Sequence, residues 1–323
     1  MKKLNYILLL LTVLFTSCKN DEWAFPEYDY QSVYFGTQYP VRTITLGEDV
    51  FDTTLDNEGK FQIMATIGGV YENKQDVTLD VQVDNSLTQN LLFVAGGTSV
   101  VNMPSNYYQL AANKIVIPKG KLTGGVQVQL TEAFFADPLA VSRNYVIPLK
   151  ATSVTNADSI LTNKAFTLYA VKYVNEWHGS YLRRGKDIIE GKNGNTALNK
   201  TVVRRNEYIE RDEVKSLTTK SRRIVELPLT FQNSGGTNVN FTLSLTFDSD
   251  NNFTIASANN LFTASGTGKF VKKGEKNSWG QKDRDAIYMQ YNIENSDMKI
   301  NATDTLVLRN RGVAMEIFTP VSK

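Results

Sequence analysis

The stretch Val77-Thr78-Leu79-Asp80-Val81-Gln82-Val83 alternates apolar and polar side chains without a break. A β-strand turns successive side chains to opposite faces, so this pattern buries one face and wets the other. The same reading extends outward in both directions. Ser32–Phe35 and Phe61–Ala65 precede it. Lys114–Gly120 follows as a strand ending in a turn, then Val126, Val128 and Leu130 alternate, then Tyr145, Ile147 and Leu149. Pro148 lies inside the last of these and points to an edge strand or a bulge, because proline has no N–H to give to a ladder. Ala165–Val174 closes the series, and only Thr131–Ala140 reads as a short helix or compact loop. About seven short strands in roughly 150 residues, separated by Gly, Asn and Pro turns, are the pattern of an immunoglobulin-like β-sandwich.

A break falls at Asn175-Glu176, and strand patterning restarts at Trp177-His178-Gly179-Ser180-Tyr181-Leu182-Arg183-Arg184-Gly185. Further strands follow at Ile224–Gln232, Val239–Asp248, Phe253–Ala256, Gly268–Lys272, Ala286–Ile293, Asp304–Arg309 and Val313–Phe318. Evenly spaced antiparallel strands fit an up-and-down barrel, and a second sandwich fits the same spacing. The chain is therefore read as all-β. Residues 31–174 form the sandwich, and 175–323 form a calycin-like (lipocalin-like) barrel or a second sandwich.

The N-terminus carries a different signal. Met1-Lys2-Lys3 precedes the apolar run Leu4–Phe15, and Leu14-Phe15-Thr16-Ser17-Cys18 follows. A short basic start, an apolar run below the roughly 20 residues of a membrane span and small residues before a cut site make a secretory signal. Cys18, the one cysteine of the chain, stands where a lipobox places the lipidated residue. Residues 1–18 are read as a lipoprotein signal and 19–30 as a surface tether. Lys19-Asn20-Asp21-Glu22 resembles the acidic export tract of Bacteroidetes surface lipoproteins. That resemblance implies an outer-membrane anchor with the domains facing outward.

Composition removes several functions. With 35 Lys and Arg against 33 Asp and Glu, no bulk charge draws the chain to nucleic acid. With Cys18 lipidated, no thiol is left for a disulfide, a thiolate metal site or a nucleophile. His178 is the one histidine, and no Gly-x-Ser-x-Gly or His-Glu-x-x-His accompanies it, so a structural role at the domain junction is expected. No cofactor is implied. Between Trp177 and Val225 there are twelve Lys or Arg and six Asp or Glu, with Arg183-Arg184, Arg204-Arg205 and Arg222-Arg223 as pairs. These read as exposed, solvated faces.

The residues able to bind a ligand are few. Trp279 stands among polar residues, where an indole can stack on a sugar while Lys282, Asp283 and Asp285 bond its hydroxyls. Tyr108, next to Tyr107, is a second aromatic candidate. Asp283 and Asp285 also form the best carboxylate pair for a glycosidase, but acids two apart on a strand read better as an ion-paired loop around Arg284. Asp248, Asp250 and Asn252 alternate oxygen ligands as calcium loops do. Phe253 and Asn259 occupy the sixth and twelfth positions, where an EF-hand needs Gly and Glu.

Residues 25–174 resemble a domain of unknown function common in Bacteroidetes surface lipoproteins and also found ahead of the catalytic barrel of some endo-β-N-acetylglucosaminidases. The likeness is carried by Asp76-Val77-Thr78-Leu79, Val83-Asp84-Asn85-Ser86-Leu87, Pro104-Ser105-Asn106-Tyr107-Tyr108, Ile117-Pro118-Lys119-Gly120 and Asn144-Tyr145-Val146-Ile147-Pro148-Leu149. The second half looks like an uncharacterised domain often paired with it, through Trp177-His178-Gly179 and Trp279-Gly280-Gln281-Lys282-Asp283-Arg284-Asp285. Trp177 with Arg309 or Arg311 is also similar to the Trp–Arg pair that closes a calycin barrel floor. These resemblances imply an accessory surface protein of glycan-utilisation loci. The acidic catalytic run of the glycosidase barrel is absent. The expected function is non-catalytic carbohydrate binding or adhesion, with glycans and outer-membrane glycan-import proteins as partners and no nucleic acid. A scaffolding surface protein and a glycoside hydrolase are the alternatives.

Overall fold

The computed structural model describes Pro26 and residues 28–323. Cys18, the signal and the start of the tether lie outside the described residues. Val77–Val83 is a strand with Val77, Leu79 and Val81 buried. It joins a sheet ordered Glu316–Ile317, Pro40–Thr45, Phe166–Val174, Tyr145–Thr155, Val77–Val83 and Lys114–Ile117. The facing sheet runs Ser159–Ile160, Ser32–Tyr34, Lys60–Gly68, Thr123–Leu130 and Tyr108–Leu110. Phe35, Ile63, Leu79, Ile115, Ile147 and Tyr173 fill the space between them.

Pro148 is not on an edge. It pairs with Leu168 in the middle of the sheet, at the point where its strand changes its other neighbour from Val101–Asn102 to Val77–Val83. Asp84 donates its N–H to the Pro148 carbonyl there, so the missing proline donor faces the junction between two partners.

The second half is a closed eight-stranded antiparallel barrel. Its strands in order are Gly179–Gly191, Glu213–Ser221, Ile224–Gln232, Asn238–Phe247, Asn252–Ser257, Thr263–Glu275, Arg284–Glu294 and Met298–Asn310. The first strand closes on the last from Ser180–Asn310 to Gly191–Met298. A barrel has no free edges, and this closure excludes the second sandwich. Its interior is packed with Trp177, Tyr181, Phe241, Phe247, Ile287 and Met289, among others. A side strand, Lys200–Arg204, pairs with the upper half of the first strand, while Glu213–Ser221 pairs with its lower half. Neither was legible as a strand, because Glu213–Ser221 carries only Leu217 and Thr219 on its buried face.

The chain does not end in the barrel. The expected barrel strand at Val313–Phe318 instead returns to the sandwich. Glu316–Ile317 pairs with Pro40–Val41, and Val321–Ser322 pairs with Leu91–Leu92. Phe318 is buried against Tyr39 and Phe93. Just before this tail, buried Arg311 donates to four backbone carbonyls: His178 at 2.7 Å, Glu48 at 2.8 Å, Leu46 at 3.0 Å and Asn175 at 2.6 Å. One guanidinium thus ties the first domain, the linker and the barrel together. At Gly47, with φ +85, a side chain would also run into Glu176, so the domains meet backbone to backbone.

Candidate functional site

Trp279 lies half-buried in the turn between the sixth and seventh barrel strands. Its indole N–H donates to the Leu308 carbonyl at 3.1 Å, and the Arg284 guanidinium covers one ring face at 3.6 Å from the centroid. The ring is therefore folded back on the last strand. Asp283 accepts from the Asn277 N–H at 3.1 Å and from Lys276 at 3.0 Å. That backbone donor and the lysine hold its carboxyl below the usual aspartate range. Asp285 accepts from the Lys273 N–H at 2.8 Å. Both acids tie down the loop, while Lys282 is exposed beside them. Tyr108 packs against the sandwich core, where burial pushes its hydroxyl pKa up, and Tyr107 donates to Asp137 at 3.0 Å.

Asp248 uses one carboxylate oxygen to accept from the N–H groups of Asp250 and Asn252, and the other from the Asn252 amide. This caps a hairpin turn with Asn251 at φ 61, and the Asn251 side chain takes the Trp177 indole N–H at 3.2 Å. No cluster of three His, Cys, Asp or Glu able to hold a metal occurs among the described residues. His178 accepts from the Thr219 N–H at 3.2 Å, and burial, with Arg311 and Lys172 nearby, pulls its pKa down to about 4.

The solvated-face expectation fails for Arg183, Arg184 and Arg204, whereas Arg205, Arg222 and Arg223 are exposed. Tyr181, Arg183, Asp187 and Ile189 sit at odd positions of the first barrel strand and point inward. Arg183 donates to Asp304 at 2.8 Å and to the Tyr291 hydroxyl at 2.9 Å, and Tyr291 donates to Asp304 at 2.8 Å. Arg204 reaches in from the side strand to Asp187 and Asp304. Burial works against the Arg183 charge, but Tyr291 and Asp304 hold its pKa above the ordinary arginine value. At Gly185 a Cβ would collide with the Thr303 carbonyl and the Asp304 carboxylate, so a glycine lets the first and last strands close over this cluster. Arg222 pairs with Glu132 and lies over the Phe135 ring, a contact between domains.

The outer face of the same strands differs. Strand register sets Thr246, Thr254, Thr267, Gln290, Thr303 and Lys186 side by side in one row. A flanking row holds Ser265, Asn292, Asn301 and Ile188, and the other holds Lys269, Tyr288, Thr305 and Arg184. Two open depressions of about 740 and 820 Å³ lie over these rows and share Thr267, Gln290, Thr303 and Thr305. They form one trough. Among the described residues, the side chains of Thr254, Thr267, Gln290, Asn292 and Thr303 make no hydrogen bond within the protein, although all are exposed. Tyr288 stands half-buried in the floor, with its hydroxyl on Glu275 at 2.8 Å; burial and that carboxylate raise its pKa to about 12. Neighbouring strands lie about 4.8 Å apart, so the rows present unengaged hydroxyl and amide groups at a regular spacing. Such a surface can bond a linked polyol. No single sequence segment discloses it, because each row is assembled from strands far apart in the chain.

A model described as "Domain of unknown function (DUF5627)" matches residues 176–312, and one described only as "-like, N-terminal domain" matches residues 28–158. A crystal structure of a Bacteroides ovatus protein of unknown function is 43% identical, with a TM-score of 0.87, over 92% of this chain and 100% of that one. A second Bacteroides ovatus protein of unknown function is 14% identical over 90% of this chain and 99% of its own, with a TM-score of 0.46. An auxiliary nutrient binding protein from Bacteroides thetaiotaomicron is 13% identical over 85% of this chain and 95% of its own, with a TM-score of 0.40. No curated protein matches the chain.

Proposed function

The chain belongs to the family of the Bacteroides ovatus protein that it matches along that protein's whole length, and from that premise we propose that it is a non-catalytic carbohydrate-binding protein. The ligand lies in the trough on the outer face of the barrel. The observation that carries this reading is the set of exposed Thr, Gln and Asn side chains on adjacent rows that make no hydrogen bond among the described residues. Exposed strand faces are ordinarily polar, but a continuous depression lined by unpartnered hydroxyls and amides matches the donor and acceptor pattern of a sugar chain. Tyr288 adds an aromatic surface in its floor. The Trp279 loop supports the reading less well, since its indole N–H, one ring face and both acids already have partners.

In this reading the protein hangs from an outer membrane by lipidated Cys18. The sandwich, locked to the barrel through Arg311, holds the trough away from the bilayer and offers it to glycans before they pass to an import protein. The test is affinity electrophoresis of the complete protein through gels containing plant, host and yeast polysaccharides. Retardation by at least one of them, lost in a Gln290→Ala/Thr303→Ala variant that melts normally, is the expected result. Retardation that survives this double change overturns the trough as the site. Free passage through every gel overturns carbohydrate binding and leaves a scaffolding role. Incorporation of labelled palmitate, abolished by Cys18→Ala, checks the anchor.

A further inference from the structure

We propose that the trough takes an anionic polysaccharide, with the carboxylate or sulfate groups of the chain seated at the end formed by the first barrel strand and the side strand. This rests on the carbohydrate reading above and specifies its ligand class. The depression at that end is lined by four cations, Arg184, Lys186, Arg204 and Arg205, and by no carboxylate. The chain as a whole carries 35 basic against 33 acidic residues, so this local excess does not follow from composition. Ordinary protein surfaces intersperse the two signs.

The four cations differ in what already holds them. Arg204 is engaged below by Asp187 and Asp304, and Arg184 pairs with buried Asp212 at 2.6 Å through Nε. The Nη2 of Arg184 is buried without a hydrogen-bond partner, so the free charge at this end is that of Lys186 and Arg205. Lys186 and Arg205 are exposed and form no ion pair among the described residues. Lys186 occupies the same cross-strand row as Thr303, Gln290 and Thr267, so the unpaired charge continues directly from the hydroxyl and amide row. A sugar chain bonded along that row would bring its acidic groups to these donors. Hydrogen bonds between ionised partners are about twice as strong as neutral ones and lend the site its selectivity.

The test compares retention of the complete protein by polygalacturonate, which carries carboxylates, by dextran sulfate, which carries sulfates, and by uncharged dextran and mannan. A single-stranded oligonucleotide serves as a polyanion that is not a sugar. Retention by one or both charged polysaccharides is expected. It should weaken by roughly tenfold or more in Lys186→Gln/Arg205→Gln, and should also fall when salt is raised from about 50 to about 200 mM. Whether polygalacturonate or dextran sulfate is held identifies the anionic group. Retention by an uncharged polysaccharide with no effect of Lys186→Gln/Arg205→Gln overturns the charge inference and leaves carbohydrate binding standing. Equal binding of the oligonucleotide overturns it as well, by showing attraction to any polyanion. Retention by none of the panel overturns both readings.

Discussion

Thr303, Asp304 and Thr305 are consecutive residues on the last barrel strand, and their side chains do opposite work. Asp304 points inward, is 1% exposed and meets Arg183, Arg204 and Tyr291. Thr303 and Thr305 point outward into the trough, and their hydroxyls make no hydrogen bond among the described residues. One strand therefore separates a polar interior bonded within the protein, apart from Asp187 Oδ1 and Arg204 Nε, from a polar outer row whose side chains make no hydrogen bond among the described residues. Buried polar groups must find partners inside the protein, because an unpaired one costs several kcal/mol, whereas exposed ones have water until a ligand displaces it. Interior polarity reports on folding here, and exterior polarity reports on what the barrel can hold.

The sharpest way to break this contrast is at Asp304. Asp304→Ala leaves Arg183 and Arg204 without their shared carboxylate, and we expect a loss of about 3–5 kcal/mol in a urea unfolding curve. Asp304→Asn keeps the shape, removes the charge, and should fall between this variant and the parent. A loss below about 1 kcal/mol for both would mean that the interior cluster is no more structural than the outer rows.

Acid provides a second probe of the interior. The fold keeps His178 neutral, with a pKa of about 4 against the ordinary value of 6.5, because it is buried next to cations and accepts the Thr219 N–H. The unfolded chain takes up this proton first as pH falls. Stability from this group is thus complete above about pH 6.5 and is lost progressively down to about pH 4, a change on the order of 3 kcal/mol. In His178→Gln that part of the slope should vanish, as read from melting temperatures across this pH range. An unchanged slope would place the acid sensitivity in the carboxylates instead.

Trp279 tests the contrast from the outside. Its partners are the Leu308 carbonyl and Arg284, so Trp279→Ala should cost about 1–2 kcal/mol of stability and leave polysaccharide retention within roughly twofold of the parent. Loss of retention with stability intact would return the binding site to the loop.

These residues also show what was legible before the fold. Alternation located most strands correctly, since Leu243, Leu245 and Phe247 or Ile287, Met289 and Tyr291 are spaced by two and buried. It did not disclose the returning tail, whose two-residue pairings at Glu316–Ile317 and Val321–Ser322 are too short to show a period. Arg183-Arg184 was misread because charge was counted along the chain and not by face. Read at every second position, Tyr181, Arg183, Gly185, Asp187 and Ile189 form one inward row whose ends are apolar. Trp279, Asp283 and Asp285 stood out as residue types, yet they hold a loop together. Thr267, Gln290 and Thr303 did not stand out, because what distinguishes them is register between strands.

The smallest effect on stability is the most informative about function. Thr303 and Gln290 are exposed and form no side-chain hydrogen bond among the described residues, so Thr303→Ala and Gln290→Ala each remove none and should change stability by less than about 0.5 kcal/mol. Each does remove one hydrogen-bonding group from the central row of the trough. A hydrogen bond to a bound sugar is worth about 0.5–1.5 kcal/mol, so either change should weaken polysaccharide retention roughly two- to tenfold. Because Thr303 and Gln290 face each other across adjacent strands, the pair can bond the same sugar unit, and the double variant should depart from the sum of the single ones. A strictly additive loss would mean that the two residues touch separate units of the chain. No loss in either, with stability equally untouched, would make the outer face as silent in binding as it is in folding.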